Sequence, residues 1–368
     1  MNIMINGAFL CRNLTGIERF AFEILRALDE ELTNEKICLL APKNARTLPS
    51  YKKILVLQSE KKLLSFPLWD IFIFPHLAKK VHALPLNFSN TAGIGKNCGI
   101  AFIHDVYAKD FSRDFTSFRD KLVSLYSRFQ YWNISRFAKK ICTVSDFSKD
   151  RIMKNYHVVE NRIAVIGNGW DHFAKSESDE KIFARLNSVL KNQHSQFQLE
   201  NKNYFFTLGS LSKRKNLVWI LKYAKLHPHD FFAISGKPIN SLVSNELAEL
   251  KALPNIFMTG YVSDGEVKAL MKQCKAFLFP SYYEGFGIPP LEALSVGANV
   301  FAMKKSSIPE IYDDAIFYLD ENPETCSLSK ILETDKRNEN TVKKILESYT
   351  YKNAAKKLLH VLKPFAAD

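Results

Sequence analysis

Short apolar runs alternate with longer amphipathic stretches along the first half of the chain. "MNIMING" (1–7), "KICLLAP" (36–42) and "KILVLQ" (53–58) read as strands. "TGIERFAFEILRALDEEL" (15–32) has apolar residues at 17, 20, 21, 24, 25 and 28, the spacing of one helix face, with Gly16 just ahead. "CGIAFIHDV" (98–106) reads as a buried strand that ends in polar residues. "KKICTVSDFSKDRIMKNY" (139–156) reads as strand, turn and helix, with Ser145 or Asp146 as the helix cap. "RIAVIGNGWD" (162–171) predicts a strand ending in an Asn-Gly turn.

The second half starts the alternation again. Strands are predicted at "NYFFTLGS" (203–210), "DFFAISGK" (230–237), "NIFMTGYV" (255–262), "KAFLFPS" (275–281) and "ANVFAMKK" (298–305). Helices are predicted at "KNLVWILKYAKLH" (215–227), "SDGEVKALMKQC" (263–274) and "PPLEALSVG" (289–297), the last with proline at its start and Gly297 at its end. Two rounds of strand–helix alternation predict an α/β chain of two doubly wound, Rossmann-like domains. The join falls near residue 169, giving 1–168 and 169–350. The segment 174–200 is polar and poor in strands, an elaboration at the join.

The length of 368 residues suits two domains better than one core. No apolar run is long enough to span a bilayer, and the N-terminus lacks a secretory pattern. Six scattered cysteines without Cys-x-x-Cys fit reduced thiols in a cytoplasm. The net charge of +13 is uneven: residues 1–168 hold 25 Lys+Arg against 15 Asp+Glu, and the rest nearly balances. The densest part, 107–140, mixes basic and aromatic residues at roughly helical spacing. A solvated helix face explains any single charge. The group also suits anionic lipid headgroups, and it suits nucleic acid less, since no helix-turn-helix, zinc-finger or RRM pattern accompanies it.

The candidate chemistry lies after two strands of the second half. "GSLSKRKN" brings Lys213, Arg214 and Lys215 in a row, and "SYYEGFGIPPLE" sets Glu284 and Glu292 around a glycine turn and a helix start. Backbone amides of such a turn, with a helix N-terminus, form an anion site that Arg and Lys can complete around a diphosphate. Glu292, placed in the first helical turn, can take both hydroxyls of a ribose. Glu284, before the helix and on the other side of the phosphate, can contact a sugar. Alone, either glutamate would read as a cap and the basic pair as surface; together they point to a nucleotide sugar.

"EGFGIPPLE" resembles the Glu-x7-Glu signature of retaining GT-B glycosyltransferases, and its wording is similar to glycosyltransferase family 4. "TGIERFAFEIL", "IHDV", "TVSDFSKDRI", "NGWD", "LGSLSKRKN" and "SSIPEIYDDAIFYLD" resemble further blocks of that family in the same order. The resemblance implies a GT-B fold, two domains facing across a cleft that closes over substrate. Residues 1–168 would bind the acceptor, with the C-terminal helix 351–368 packing back on them, and 169–350 would bind the donor. It implies that Arg214 and Lys215 neutralise the leaving diphosphate. Gly285, Phe286, Gly287 and Ile288 would hold phosphate and sugar through their amides. Glu284 would bind donor-sugar hydroxyls and Glu292 the ribose. His104 would lie near the anomeric carbon, although a strand-end histidine capping Asp105 is the plain reading. Ser145 would sit near the cleft or simply cap its helix. Gly16 would let the backbone approach the diphosphate, and Asn168 and Gly169 would shape a hinge. Asp171 and His172 are left as structural. At Ser210 many relatives carry an arginine, a charge that Arg214 would supply.

No Asp-x-Asp is present to hold a metal on the diphosphate, so no metal and no other cofactor is expected. The expected activity is a cytoplasmic, retaining transfer of a hexose to a glycan or lipid-linked oligosaccharide in cell-surface polysaccharide synthesis, peripheral on the inner face of the membrane if the basic half touches lipid. "KRKN" resembles mannosyltransferases and favours GDP-mannose, with dTDP-rhamnose and UDP-sugars open. The rivals are another GT-B sugar-nucleotide enzyme, an epimerase or phosphorylase, and a basic nucleic-acid-binding protein. A nicotinamide dehydrogenase is disfavoured, since no Gly-x-Gly-x-x-Gly follows the first strand.

Overall fold

Seven strands make the first sheet: β1 (Ile3–Asn6), β2 (Ile37–Ala41), β3 (Leu55–Gln58), β4 (Leu84–Asn87), β5 (Ile100–Phe102), β6 (Lys140–Thr143) and β7 (Ile163–Val165). Six make the second: β8 (Tyr204–Leu208), β9 (Phe231–Ser235), β10 (Ile256–Gly260), β11 (Ala276–Phe279), β12 (Val300–Met303) and β13 (Phe317–Leu319). The computed structural model describes residues 2–193, 195–210, 212–236 and 244–366. Met1, Leu211, Lys237 and residues 367–368, which belong to stretches read above as strand, basic loop, strand end and tail helix, lie outside the described residues.

Among the described residues every pairing is parallel. The orders are β3-β2-β1-β4-β5-β6-β7 and β10-β9-β8-β11-β12-β13, each reversing direction once, between β1 and β4 and between β8 and β11. The near-continuous apolar character of the strands follows from burial on both faces. The chain divides into a unit of residues 1–169 with 349–368 and a unit of residues 170–348. Gly169, assigned by sequence to the second domain, belongs to the first.

In the first unit the helix Gly16–Glu31 buries Phe20, Ala21, Ile24, Leu25 and Leu28, and packs along the final helix Tyr351–Ala366. In the second, helix Leu217–Leu226 buries Trp219, Ile220 and Tyr223 against Phe205, Phe232 and Leu278 of the sheet.

Three of the elements that the sequence reading did not name have a clear physical reason. β4 was not recognised, because Pro85 interrupts it. Pro85 stands in register with Met4 of β1, but the Leu84 N–H donates to the Asn2 carbonyl there. Position 85 therefore faces β5, whose pairing begins only at Leu86, and the missing N–H costs no ladder bond. β13 is a three-residue strand at the sheet edge, too short for a period to register. The polar segment 174–200 contains the helix Lys181–Asn192, which buries Ile182, Leu186 and Leu190 at four-residue spacing under a charged exterior.

Candidate functional site

The carboxyl ends of β8 and β11 flank the point where the second sheet reverses, the place where open α/β sheets bind ligands. After β8, Lys213–Lys215 form one tight helical turn, and Asn216 follows with a left-handed φ of 53°. Its Nδ2 donates to the Pro280 carbonyl at 3.2 Å, and the Tyr282 N–H donates to the Arg214 carbonyl at 3.0 Å. These bonds tie the basic turn to the loop after β11. Gly209 lets the chain pass Lys215 closely, since a Cβ there would lie 3.3 Å from Lys215 Cε.

Lys215 Nζ donates to Glu284 Oε1 at 2.7 Å, and Arg214 Nη1 lies 3.6 Å from Glu284 Oε2. Burial alone would raise the Glu284 carboxyl, but the Lys215 and Arg214 charges and the Lys215 hydrogen bond outweigh it and hold the group below the usual carboxylate range. Lys215 also sits over the Phe279 ring, 4.7 Å from its centroid. The sequence reading set Glu284 apart from the two cations. The structure joins all three, because the tied loops bring the end of β11 back over the turn after β8.

The loop between Glu284 and the helix Ile288–Ser295 is held from beneath by the chain after β12. The Glu284 N–H donates to Ser306 Oγ at 3.0 Å, and Ser307 Oγ lies 3.1 Å from the carbonyls of both Glu284 and Phe286. Tyr312 donates to the Gly287 carbonyl. Gly287 has a φ of 90°, and a Cβ there would lie 2.7 Å from Ile308 Cδ1, so the turn requires glycine. Ser306, Ser307 and Tyr312 were not singled out as site residues, although "SSIPEIYDD" contained them. Pro289 and Pro290 have no N–H, so the amides at this helix start come from the N-cap Gly287 and from Ile288.

Glu292 was placed in the first helical turn. The helix begins at Ile288, so Glu292 stands in the second turn, with no capping role. Its Oε1 lies 2.9 Å from Nε2 of buried His172, a residue left as structural by the sequence. Nothing in the spacing of two residues so far apart could reveal that pair.

The remaining candidates belong to the first unit. His104 follows β5, buried, with its ring edge-on to Phe20 and stacked on Phe102. Its Nε2 lies 2.7 Å from the Phe88 carbonyl, so Nε2 carries the proton and donates, and in the neutral ring Nδ1 keeps its lone pair. Burial holds the imidazole below its ordinary value, against the opposing pull of the Phe88 carbonyl and nearby acids. Asp105 Oδ1 accepts the Tyr107 N–H at 3.0 Å. Ser145 is the helix cap, accepting the Ser148 N–H at 3.0 Å, and Ser148 Oγ donates to the His104 carbonyl. Gly16 is the first residue of its helix, and open space lies where its Cβ would be. Asn168 is buried with its Oδ1 unpartnered among the described residues, and the left-handed glycine of that turn is Gly167, not Gly169.

The sequence also passed over a buried polar group at the β1–β4 reversal. Asn6 Nδ2 donates to Asp70 Oδ1 at 2.8 Å, and Thr91 Oγ1 donates to Asp70 Oδ2 at 2.7 Å. Burial pushes the Asp70 carboxyl up. Among the described residues no cluster of His, Cys, Asp and Glu suited to a metal ion occurs.

Residues 189–352 match the family model "Glycosyl transferases group 1". Over 206 residues the chain is 30% identical to O-antigen chain mannosyltransferase B of Escherichia coli, a match covering 54% of this chain and 51% of that protein. The chain thus spans about half the length of that curated relative. Sucrose-phosphate synthase from Thermosynechococcus elongatus superposes with a TM-score of 0.72 at 12% identity, covering 100% of this chain and 99% of that one. Anabaena Alr3699/HepE, solved with UDP and glucose, superposes with a TM-score of 0.64 at 14% identity, covering 98% and 99%. The chain has the GT-B fold of these solved structures, and its residues 189–352 are similar to the Glycosyl transferases group 1 family.

Proposed function

We propose that the protein is a retaining, metal-independent glycosyltransferase that moves a hexose from a nucleoside-diphosphate sugar to a glycan or lipid-linked oligosaccharide in cell-surface polysaccharide synthesis. The observation that carries this reading is the Lys215–Glu284–Arg214 cluster, set beside a glycine turn and a helix start at the sheet's reversal point. GDP-mannose is the favoured donor, in keeping with the mannosyltransferase relative.

In this mechanism the diphosphate competes with Glu284 for Lys215 and Arg214. The two cations and the start of the Ile288–Ser295 helix neutralise charge as the glycosyl–phosphate bond breaks, the task a divalent metal performs elsewhere. Glu284, freed in part from Lys215, accepts hydroxyls of the sugar, and Glu292, braced by His172, accepts those of the ribose. The first unit binds the acceptor. Its neutral His104 offers Nδ1 as a hydrogen-bond acceptor and has no proton to give from that atom. The acceptor hydroxyl attacks the face that the diphosphate leaves, through an oxocarbenium-like state, and its proton passes to the departing diphosphate oxygen.

A thermal-shift screen against GDP, UDP, dTDP and their common sugars, with and without EDTA, tests the reading. At a large multiple of its dissociation constant a bound ligand raises stability by about 2.7 kcal/mol or more. A shift with one nucleotide, unchanged by EDTA and lost in Glu292→Ala, is the expected result. No shift with any nucleotide overturns the assignment, and a shift abolished by EDTA overturns metal independence.

A further inference from the structure

The helix Phe118–Phe137 carries a second apolar stripe on its outward face. Phe118, Leu122, Leu125, Phe129 and Trp132 recur at alternating four- and three-residue steps, one continuous face of a helix, and all five are exposed. Phe118 is 79% exposed, Leu125 63% and Trp132 50%. The opposite side buries Tyr131 and Ile134 in the core and carries polar residues inward beside them. Ser124 donates to the Ala108 carbonyl, Gln130 Oε1 accepts the Ala92 N–H, and Asn133 bonds both Gly95 and Gly93. An amphipathic helix on a water-soluble surface presents a polar outer face, not a second apolar stripe.

Cations flank this stripe. Lys121 and Arg128, seven residues apart, line one side, Arg119 lies on the other, and Arg136 follows on the stripe itself. None of the four forms an ion pair among the described residues. Over 107–140 the chain carries eight basic residues and three acidic ones, so the surroundings do not neutralise them. The helix is too polar to cross a bilayer; among the described residues no helix is long and apolar enough to do so.

We infer that the outward face of Phe118–Phe137 docks on an anionic lipid surface, with the helix lying in the plane of the headgroups. Phe and Trp enter the interface while Lys and Arg meet lipid phosphates. Charge selects this occupant over a second copy, because a two-fold self-interface would set the same cations against each other. The inference deepens the proposal of a lipid-linked acceptor and rests on it for its purpose, although the docking itself needs no catalysis.

Flotation of the purified protein with vesicles of phosphatidylcholine, and of phosphatidylcholine mixed with phosphatidylglycerol, tests it. Two variants accompany the wild type: Lys121→Glu with Arg128→Glu, and Leu125→Ser with Trp132→Ser. All four side chains are exposed, so the melting temperature serves as the check on folding. Binding to the anionic vesicles, weaker by about tenfold or more on the neutral ones and in each double variant, is expected. No flotation, flotation indifferent to both variants, or a concentration-dependent dimer that the second variant dissolves would each overturn docking on lipid. The nucleotide shift of the same preparations separates the two ideas: a shift without flotation defeats the docking alone, and flotation without a shift defeats the enzymatic reading alone.

Discussion

His172 Nε2 lies 2.9 Å from Glu292 Oε1, with both side chains buried in the second unit. A carboxylate only accepts, so the imidazole donates, and the contact fixes the direction in which the other Glu292 oxygen points. If Glu292 holds a ribose, His172 orients it without touching the nucleotide. His172→Ala is expected to weaken nucleoside-diphosphate binding about tenfold, about 1.4 kcal/mol, by titration calorimetry. Glu292→Ala should lose more. Wild-type affinity in His172→Ala would reduce the pair to a packing contact.

Glu284 depends on its cations for stability as well as for chemistry. Removing one partner from a buried pair leaves an uncompensated charge, at a cost of about 3–5 kcal/mol. Lys215→Met should therefore lower the denaturation midpoint clearly, and adding Glu284→Gln should restore much of it. The folded carboxyl lies below its usual range, so its contribution is present above the unfolded value of ~4.3 and is lost as pH falls through the folded one. In acid titrations below that value Glu284→Gln should lose less stability than the wild type. Equal acid sensitivity would mean that the pair does not stay formed in solution.

His104 supplies a second pH signature, with its own window. Its folded value is depressed, so the unfolded chain takes up the proton first. The stability it contributes is present above the unfolded value of ~6.5 and falls as pH drops toward the folded value. His104→Gln keeps a donor for the Phe88 carbonyl and does not titrate. Chemical denaturation between mildly acidic and neutral pH should show a steeper loss in the wild type than in this variant. Parallel curves would show that His104 titrates normally.

Much of this was legible in the sequence where one element carries the signal. The strand–helix alternation marked both sheets. Lys215, Glu284 and Gly287 stood out because each follows a strand within a few residues. Pro85 hid β4, since a proline argues against a central strand until the register shows that its missing N–H faces β5 ahead of the first pair with that strand. The contacts Lys215–Glu284 and His172–Glu292 were not legible, because each joins side chains far apart in the chain, and only the folded loops decide which of two nearby charges faces the other. The helix Lys181–Asn192 lay open to reading, but its three buried positions were outweighed by the polar residues around them.

Gly287 offers the most direct test of the turn that separates the two glutamates. Two independent obstacles oppose a side chain there: a φ of 90°, and Ile308 Cδ1 at 2.7 Å from the added Cβ. Strain of the first kind alone costs about 1–3 kcal/mol. Gly287→Ala should therefore lower the melting temperature and weaken nucleotide binding together, since the same turn aims the Ile288 amide and carries Glu284. Ile308→Ala in the same chain removes the steric obstacle and leaves the dihedral one. The double variant is expected to recover part of the affinity while still melting below Ile308→Ala alone. Full recovery would assign the whole effect to the clash. Unchanged binding in Gly287→Ala would remove the turn from the donor site.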